Sequence, residues 1–300
     1  MINRVPLLLT YSGKAFSHMR PKQKTLDVVT SLVKTASKII GPKRATMMTA
    51  HLAEDLAPII VQPTPFGPIK FLCPGKIPVY RARTLHTKEP DTLRWIEGFQ
   101  EGEILWDIGA NVGTYSVYAA VKGHRVLAFE PSASNYHLLC RNVELNGLSS
   151  KLSAYCFAFT DSTKLDCLYM TSSKIGSALN SFGAVIAPQN SAAESLSSQA
   201  TLGFSVDDFI ATFHPPFPDH LKIDVDGLEG KIVNGARRTM ADRRLKSVLV
   251  ELDRKAVTTD HSLIDQFAEC GFEFVNESGL HKPPGRRGFQ VYNGIFARRS

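Results

Sequence analysis

The sequence predicts an α/β domain in which a mainly parallel sheet carries helices on both faces, preceded by a small helical and β appendage. Three observations lead to this fold class. From about residue 103, short apolar segments typical of buried strands alternate with segments of helical periodicity. A glycine-rich turn joins the first of these strands to the first helix, and the residues before it lack the alternation. A chain of 300 residues is long enough for one such domain and an appendage.

The appendage divides into two parts. Residues 1–60 form a basic segment, in which 23–57 predict two short helices separated by the helix-stopping pair Gly41-Pro42. Residues 61–100 predict lead-in strands and a helix, because prolines and glycines between 58 and 80 favour short edge strands and Glu89-Pro90 opens a helix over 91–99. We expect the main domain to span residues 101–300.

The main domain is predicted to alternate strands with helices. The strands are expected at 104–108, 125–129, 152–158, 221–225, 247–251, 272–275 and 289–297. The helices are expected at 115–121, 135–145, 228–240 and 262–270. Parallel strands joined by helices imply right-handed crossovers and a ligand site at the carboxyl ends of the strands.

Residues 171–203 interrupt this alternation. They contain eight serines and a single acidic residue, Glu194. A stretch of this length without a periodic pattern is typical of a functional lid, an insertion or a disordered segment, and the sequence does not decide among the three.

The positive charge is concentrated near the N-terminus. Residues 1–60 hold nine Lys and Arg against three Asp and Glu, whereas the remaining residues hold 26 against 25. Nucleic-acid enzymes usually carry their positive charge beside the active site, so a nucleic-acid substrate is not expected. The basic segment predicts either a solvated helical face or peripheral contact with an anionic membrane surface or an acidic partner.

Targeting and redox features favour a cytoplasmic protein. No apolar run approaches the roughly 20 residues that cross a bilayer, and the first ten residues are too short a core for a signal peptide. The five cysteines are scattered and never form a C-x-x-C pair. We therefore expect free thiols in a reducing compartment, without a disulfide framework or a Cys/His metal site.

The strongest functional signal is the glycine loop after the first strand, together with an acid after the second. Asp107, Gly109, Asn111 and Gly113 lie between strand and helix, where glycines let the backbone turn tightly and approach a ligand. Glu130 ends the next strand, where a carboxylate can bind both ribose hydroxyls. The pattern indicates a Rossmann-like nucleoside site; the alternative is a tight turn without a ligand.

Charge selects the ligand class. A dinucleotide places its pyrophosphate over this turn, where Asp107 would repel it, and the loop lacks the G-x-G-x-x-G spacing of dehydrogenases. S-adenosylmethionine has no phosphate and presents an ammonium that Asp107 can bind. Its carboxylate is expected to meet backbone N–H groups between Gly109 and Gly113. S-adenosylmethionine is therefore the predicted cofactor.

A second acidic cluster follows the strand at 221–225. Asp224 and Asp226 are two residues apart, so their side chains can share one face, and Glu229 follows. A structural interpretation makes Asp226 the N-cap of the next helix and Glu229 the partner in a capping box. The catalytic interpretation makes this cluster the base that removes a hydroxyl proton, or a Mg²⁺ site; we favour the direct base. Glu251, after the next strand, is a further candidate on the acceptor side.

Several segments together resemble one family, the FkbM-type methyltransferases of the class I S-adenosylmethionine-dependent enzymes. In chain order the matching segments are KEPDTLRWIE at 88–97, WDIGANVGTYS at 106–116, AFEP at 128–131, NVELNG at 142–147, AFTD at 158–161, KIDVDGLE at 222–229 and VEL at 250–252. The resemblance covers about residues 86–297 and leaves 1–60 outside.

The resemblance implies a seven-stranded Rossmann-like sheet whose last strand is antiparallel. It also implies O-methylation of a sugar, a glycan or a natural-product-like small molecule. Glu89 and Asp224 are implied as donor contacts beside the loop residues. Asp161, in AFTD, is implied as the acceptor of the adenine amino group, against the plainer role of a turn-forming Asp.

Three functions remain open on the sequence alone. An O-methyltransferase with a small-molecule or glycan acceptor accounts for both the donor loop and the acidic cluster. A catalytically inactive binding module would need only the donor loop. A Rossmann-type oxidoreductase is disfavoured by Asp107 and by the glycine spacing. The acceptor pocket is expected from the loops at 60–90, 171–203 and 278–290.

Overall fold

The computed structural model describes residues 8–9, 23–184, 197–253, 257–281 and 291–299. The strands are β1 Leu8–Leu9, β2 Ile59–Gln62, β3 Ile69–Leu72, β4 Ile104–Ile108, β5 Arg125–Phe129, β6 Leu152–Tyr155, β7 Ala158–Phe159, β8 Lys164–Met170, β9 Ser181–Phe182, β10 Ser197–Phe204, β11 His220–Ile223, β12 Ser247–Asp253, β13 Phe272–His281 and β14 Val291–Arg298. The helices are α1 Gln23–Ile39, α2 Pro42–Asp55, α3 Lys76–Arg83, α4 Pro90–Glu97, α5 Thr114–Lys122, α6 Ala133–Leu145, α7 Val206–Phe213, α8 Glu229–Asn234, α9 Arg237–Ala241 and α10 Val257–Glu269.

The main sheet confirms the predicted fold class. Its strand order is β13-β14-β12-β11-β4-β5-β6. β4, β5, β6, β11 and β12 run parallel to their neighbours, whereas β14 is antiparallel to both β12 and β13. The chain therefore forms a Rossmann-like sheet of seven strands whose last strand is the antiparallel one. The strand order reverses between β4 and β11, where doubly wound sheets bind their ligands.

Helices cover both faces of this sheet. Along β5, Val126 and Ala128 join the core beneath α4, α5 and α6, whereas Leu127 and Phe129 join the core beneath α7 to α10. Trp106 on β4 lies in the second core and is stacked or edge-on against Phe129, Phe159 and Phe209. Burial on both faces is the reason that these strands are continuously apolar in the sequence.

A smaller sheet, which the sequence did not predict, lies between β6 and α7. Its order is β7-β10-β8-β9. The expected strand at 152–158 was too long: β6 ends at Tyr155, and Ala158 begins β7, which pairs with β10 instead. β10 pairs with β8 over seven residues, from Ser197 opposite Met170 to Gly203 opposite Lys164. Much of the serine-rich stretch is therefore an insertion with its own sheet; residues 185–196 lie outside the described residues.

The helix expected at 228–240 is two short helices, α8 and α9, broken at Gly235. A Cβ at Gly235 would lie 2.3 Å from the carbonyl oxygen of Thr160. The chain bends at this glycine because the backbone of the β7 edge passes directly against it.

The N-terminal helices α1 and α2 are joined at Gly41, whose φ of 82° only glycine adopts readily, and Pro42 occupies the first turn of α2. β1, β2 and β3 form a separate small sheet. In the described part of the chain, no helix is both long and apolar enough to cross a bilayer.

The contact between Gly109 and the end of β11 yields a stability prediction. A Cβ at Gly109 would lie 1.9 Å from the carbonyl oxygen of Asp224, whereas a Cβ at Gly102 meets nothing within 4 Å. Both glycines have φ near +80°, so the backbone cost of alanine is shared and amounts to about 1 kcal/mol. We expect Gly109→Ala to lower the free energy of urea unfolding by at least about 2 kcal/mol more than Gly102→Ala. Equal losses would contradict the packing described here.

Candidate functional site

The donor loop, residues 109–113 between β4 and α5, is hydrogen-bonded to the end of β5. The N–H groups of Gly109 and Ala110 both donate to the carbonyl of Phe129, at 2.9 and 3.0 Å. The N–H of Gly113 donates to the carbonyl of Ala110, and Asn111 adopts a left-handed φ of 51°. These donors are already used within the protein. The expectation that they bind the carboxylate of a ligand is therefore wrong for Gly109, Ala110 and Gly113.

Asp107, the last but one residue of β4, lies beneath this loop and is 1% exposed. Its Oδ2 accepts a hydrogen bond from Ser116 Oγ at 2.5 Å. Its Oδ1 has no hydrogen-bond partner and lies 3.7 Å from the ammonium of Lys222. Burial raises the pKa of this carboxyl, and the charge of Lys222 opposes that rise. A buried carboxylate oxygen without a donor is costly, so it marks a place where a cationic donor fits.

Glu130 follows β5 and is held in a fixed orientation. Its Oε2 accepts from the backbone N–H of Asn111 at 2.8 Å, and its Oε1 accepts from that of Ser132 at 2.9 Å. Asn135 Nδ2 lies 3.5 Å from Oε1. Burial raises the pKa of Glu130 to about 7, although these hydrogen bonds favour the charged form. The carboxyl is thus near Asn111, as the sequence predicts.

Lys222 is a buried cation that joins the ends of β4 and β11. Its Nζ donates to Asp224 Oδ2 at 2.8 Å and lies 5.4 Å from the ring centre of Tyr115. Burial alone would lower the pKa of Lys222, but the charges of Asp224, Asp107 and Glu89 outweigh it and raise the pKa. Burial alone would raise the pKa of Asp224. The charge of Lys222 outweighs this effect and lowers the pKa, so this carboxyl stays ionised.

Glu89 joins the same cluster from the start of α4 and is 3% exposed. Lys88 donates to its Oε1, and Asn293 Nδ2 and Thr92 Oγ1 donate to its Oε2 at 3.2 and 3.3 Å. Burial acts to raise the pKa of Glu89, but Lys88 and Lys222 more than compensate and hold it low. Glu89 is therefore a buried carboxylate whose position is fixed from β14.

Asp226 and Glu251 lie beyond Asp224, towards the open side of the sheet end. Asp226 has a left-handed φ of 61°, and its Oδ2 accepts from the N–H of Leu179 at 2.6 Å. Asp226 is not the N-cap of α8, because that position belongs to Leu228. Burial first, and then the charges of Asp224 and Asp226, raise the pKa of Glu251 well above its usual range. Glu251 therefore holds a proton more tightly than an ordinary carboxyl does.

Glu229 holds the loop after β11. Its Oε1 accepts from the backbone N–H groups of Val225 and Gly227, both at 3.2 Å. Glu229 is 7% exposed, and burial raises its pKa to about 7. It reaches back in the manner of a capping box, but its contacts are with the loop that carries Asp226. We assign it a positioning role in place of the catalytic one.

Residues 175–180, which we name the covering segment, lie across the donor loop. Asn111 Nδ2 and Asn135 Nδ2 donate to the carbonyl of Ser177 at 3.0 and 3.1 Å. Arg81 Nε donates to the carbonyl of Gly176 at 2.8 Å. With the bond from Leu179 to Asp226, these contacts tie the covering segment to α3, the donor loop, α6 and the loop after β11.

Two cavities adjoin these residues. A cavity of about 580 Å³ is lined by Arg81, Lys88, Glu89, Asp224, Asp226 and Glu251, with the covering segment as one wall. A small apolar cavity lies on the other side of Gly109 and is lined by Phe129, Phe157, Phe159, Leu168, Phe182 and Asn180. Asn180 Oδ1 is buried there without a hydrogen-bond partner. Among the described residues, no group of His, Cys, Asp and Glu side chains is arranged to hold a metal ion.

The structure brings most of the predicted site residues together, but not Asp161. This residue is exposed, and its carboxylate accepts from the hydroxyls of Thr160 and Ser162 at 3.2 Å. It lines neither cavity. The sequence analysis also missed Arg81 and Asn180. Neither is marked by a motif, because each reaches the site only through contacts between elements distant in the chain.

The pKa of Glu229 yields a pH-dependent prediction. A folded-state pKa of about 7, above the ordinary 4.5, stabilises the fold below pH 4.5, and this stabilisation is lost as the pH rises to about 7. Glu229→Gln keeps an acceptor oxygen but cannot ionise. We expect its advantage in unfolding free energy over the wild type to grow between pH 4.5 and 7, by up to about 3 kcal/mol, and then to level off. The exposed Glu101→Gln is the control; a parallel pH profile for both variants would contradict the assignment.

Comparisons with known proteins identify the family. The family model of the methyltransferase FkbM domain matches residues 107–274, more than half of the chain. The hexuronic acid methyltransferase AglP of Haloferax volcanii is 25% identical over 184 residues, which cover 60% of this chain and 70% of AglP.

Two solved structures match this chain at low sequence identity. The FkbM methyltransferase of Methylobacillus flagellatus KT matches with a TM-score of 0.42 and 16% identity, covering 66% of this chain and 44% of that one. TYW2 of P. horikoshii, solved in complex with MeSAdo, matches with a TM-score of 0.44 and 13% identity, covering 81% and 73%. The chain thus spans less than half the length of the FkbM structure. The resemblance seen in the motifs is confirmed by the family model: the chain belongs to the FkbM-domain family of methyltransferases.

Proposed function

We propose that this protein is an S-adenosylmethionine-dependent O-methyltransferase that acts on a hydroxyl of a sugar, a glycan or a natural-product-like small molecule. The observation that carries the proposal is the position of Asp107 beside Asp224 and Asp226. Asp107 offers an unpartnered carboxylate oxygen under the glycine loop, and Asp226 lines the larger cavity two residues past Asp224. A donor group and a base can therefore meet at one strand end. The similarity to AglP, a hexuronic acid methyltransferase, supports the sugar class of acceptor.

The residues present fit the methionine end of the donor. The free Oδ1 of Asp107 suits an ammonium, because an ionised acceptor strengthens such a hydrogen bond. The carboxylate of the donor then lies towards Arg81 and Lys88, which line the small cleft above Asp107 together with Thr114. These side chains take the role that the backbone N–H groups of the loop cannot perform.

The nucleoside end is assigned to Glu130 and the apolar cavity. Glu130 is 4% exposed beneath Asn111, Asn135 and the covering segment, so ribose hydroxyls reach it only after this segment shifts. The aromatic walls of the apolar cavity suit the flat faces of adenine, but its volume of about 30 Å³ requires that the cavity widen before a base enters it. The unpartnered Oδ1 of Asn180 is placed to accept from the adenine amino group. We propose Asn180 for the role that the family resemblance implied for Asp161.

The acceptor hydroxyl is assigned to the cavity between Asp226 and Glu251. S-adenosylmethionine, when bound, supplies a methyl group on a positively charged sulfur. With an acceptor bound, Asp226 would accept the hydroxyl proton and so prepare the acceptor oxygen to take the methyl group that the donor supplies. Glu251, held neutral by its raised pKa, donates a hydrogen bond that orients the acceptor. Asp224 and Lys222 stay paired and keep the strand end in place.

Two variants test which residue accepts the hydrogen bond of the adenine amino group. We expect Asn180→Ala to weaken S-adenosylhomocysteine binding about tenfold, because the adenine amino group loses its buried acceptor. Asp161→Ala, which removes an exposed side chain outside both cavities, is expected to leave the affinity unchanged. The measurement is titration calorimetry, repeated with S-inosylhomocysteine, which lacks the amino group. The wild type should bind S-adenosylhomocysteine more tightly than S-inosylhomocysteine, and Asn180→Ala should bind the two equally. If Asp161→Ala loses this preference and Asn180→Ala keeps it, the role belongs to Asp161.

A third variant tests the base. Asp226→Asn keeps the acceptor oxygen for the N–H of Leu179 but removes the charge. We expect methyl transfer to a hexuronic acid or other identified sugar acceptor to fall by about 10²–10⁴-fold, with donor affinity nearly unchanged. Turnover of the wild type should survive a chelator, whereas loss on chelation and recovery with Mg²⁺ would assign the cluster to a metal. Full turnover by Asp226→Asn would exclude Asp226 as the base.

A further inference from the structure

The first N-terminal helix carries an apolar stripe that faces solvent. Val28, Val29, Leu32 and Ile39 fall within one arc of α1 at the helical period, and we name them the α1 stripe. Val28 is 58% exposed, Leu32 65% and Ile39 79%. Isolated exposed apolar side chains are ordinary, but four large ones on one face within about three turns of helix are not.

The described part of the chain does not cover the α1 stripe. α1 packs against α2 through a different side, where Val33 and Ser37 are half-buried. α2 itself has no buried residue, so it uses little of its surface in this contact. The helix pair therefore presents an apolar face for which the described residues supply no partner.

Basic side chains accompany the stripe. Lys34 and Lys38 lie one turn apart on the opposite arc of α1, and Lys43 and Arg44 begin α2. The acidic residues of this part of the chain are Asp27, Glu54 and Asp55, so the region from 23 to 56 is net positive. An apolar face with cations on the opposite face is the pattern of helices that lie flat in the interface of an anionic bilayer.

We infer that α1 and α2 dock the protein on an anionic lipid surface, with the α1 stripe in the acyl boundary and the lysines and arginine at the headgroups. A bilayer interface needs only an apolar face and a cationic face turned away from it, and this helix pair supplies both. A protein partner would have to present an apolar groove lined with acids at a matching spacing.

The test uses the full chain and sedimentation with vesicles. We expect binding to vesicles of phosphatidylcholine with phosphatidylserine, weak binding to phosphatidylcholine alone, and loss of most binding at high salt. Val29→Glu/Leu32→Glu should lower the affinity for anionic vesicles at least about tenfold below that of Thr30→Glu/Ser31→Glu. The two variants add the same charge at neighbouring positions, but only the first pair interrupts the stripe.

Circular dichroism and donor binding show whether both variants remain folded. Equal vesicle binding by the two variants would mean that the stripe does not insert, and would overturn the inference. Absence of binding to anionic vesicles would also overturn it. Light scattering tests whether a second copy of the chain covers the stripe instead. If the protein does not bind vesicles and forms a dimer that only Val29→Glu/Leu32→Glu dissociates, the stripe is an interface between two copies.

Discussion

The rest of the site depends on the pairing of the buried Lys222 ammonium with two carboxylates. It lies at the point where the strand order reverses, between the carboxylates of Asp107 on β4 and Asp224 after β11. A buried charge is tolerated only when it is paired, and here the pairing is unequal, at 2.8 Å to Asp224 and 3.7 Å to Asp107. The short bond fixes Asp224, while the long one leaves an oxygen of Asp107 available. One lysine thus pairs the ends of two neighbouring strands and leaves one buried carboxylate oxygen without a hydrogen bond.

The same burial sets the protonation of the surrounding carboxyls. Asp224 and Glu89 keep low pKa values because Lys222 and Lys88 offset the cost of desolvation. Asp107 also lies near Lys222, but burial outweighs that cation and its pKa is raised. Burial and the charges of other acids raise the pKa of Glu251. Environment therefore divides these carboxyl groups into members with lowered and members with raised pKa values.

The covering segment links the two ends of the proposed donor site. Its backbone accepts from Asn111, Asn135 and Arg81 and donates to Asp226. A ligand that reaches Glu130 must rearrange the amides of Asn111 and Asn135, and it thereby acts on a segment that also contacts the proposed base. Since these contacts are polar and few, their exchange for contacts with a ligand involves little loss of buried apolar surface.

Much of the fold and part of the site follow from the sequence. The strands that are buried on both faces appear as apolar runs, and the loop at Asp107 and the acid at Glu130 are local signals that need only a strand and a turn. The order of the motifs along the chain was sufficient to predict the family. The sheet of β7 to β10 was not predicted, because its pairing joins residues up to 45 positions apart, as Ala158 with Gly203, and its strands mix polar and small side chains.

Tertiary structure alone decided the roles of individual polar groups. Glu229 and Asp226 are acidic residues three positions apart, and the sequence does not show which way either side chain points. Glu229 accepts a hydrogen bond from the loop backbone, whereas Asp226, at a left-handed φ, points towards the cavity. Arg81 and Asn180 reach the site from elements that the motifs do not mark. The sequence located the strands of the main sheet, though not all of their ends, since periodicity and turn chemistry act locally. Which side chain retains a free polar atom depends on every contact around it, and those contacts exist only after the chain has folded.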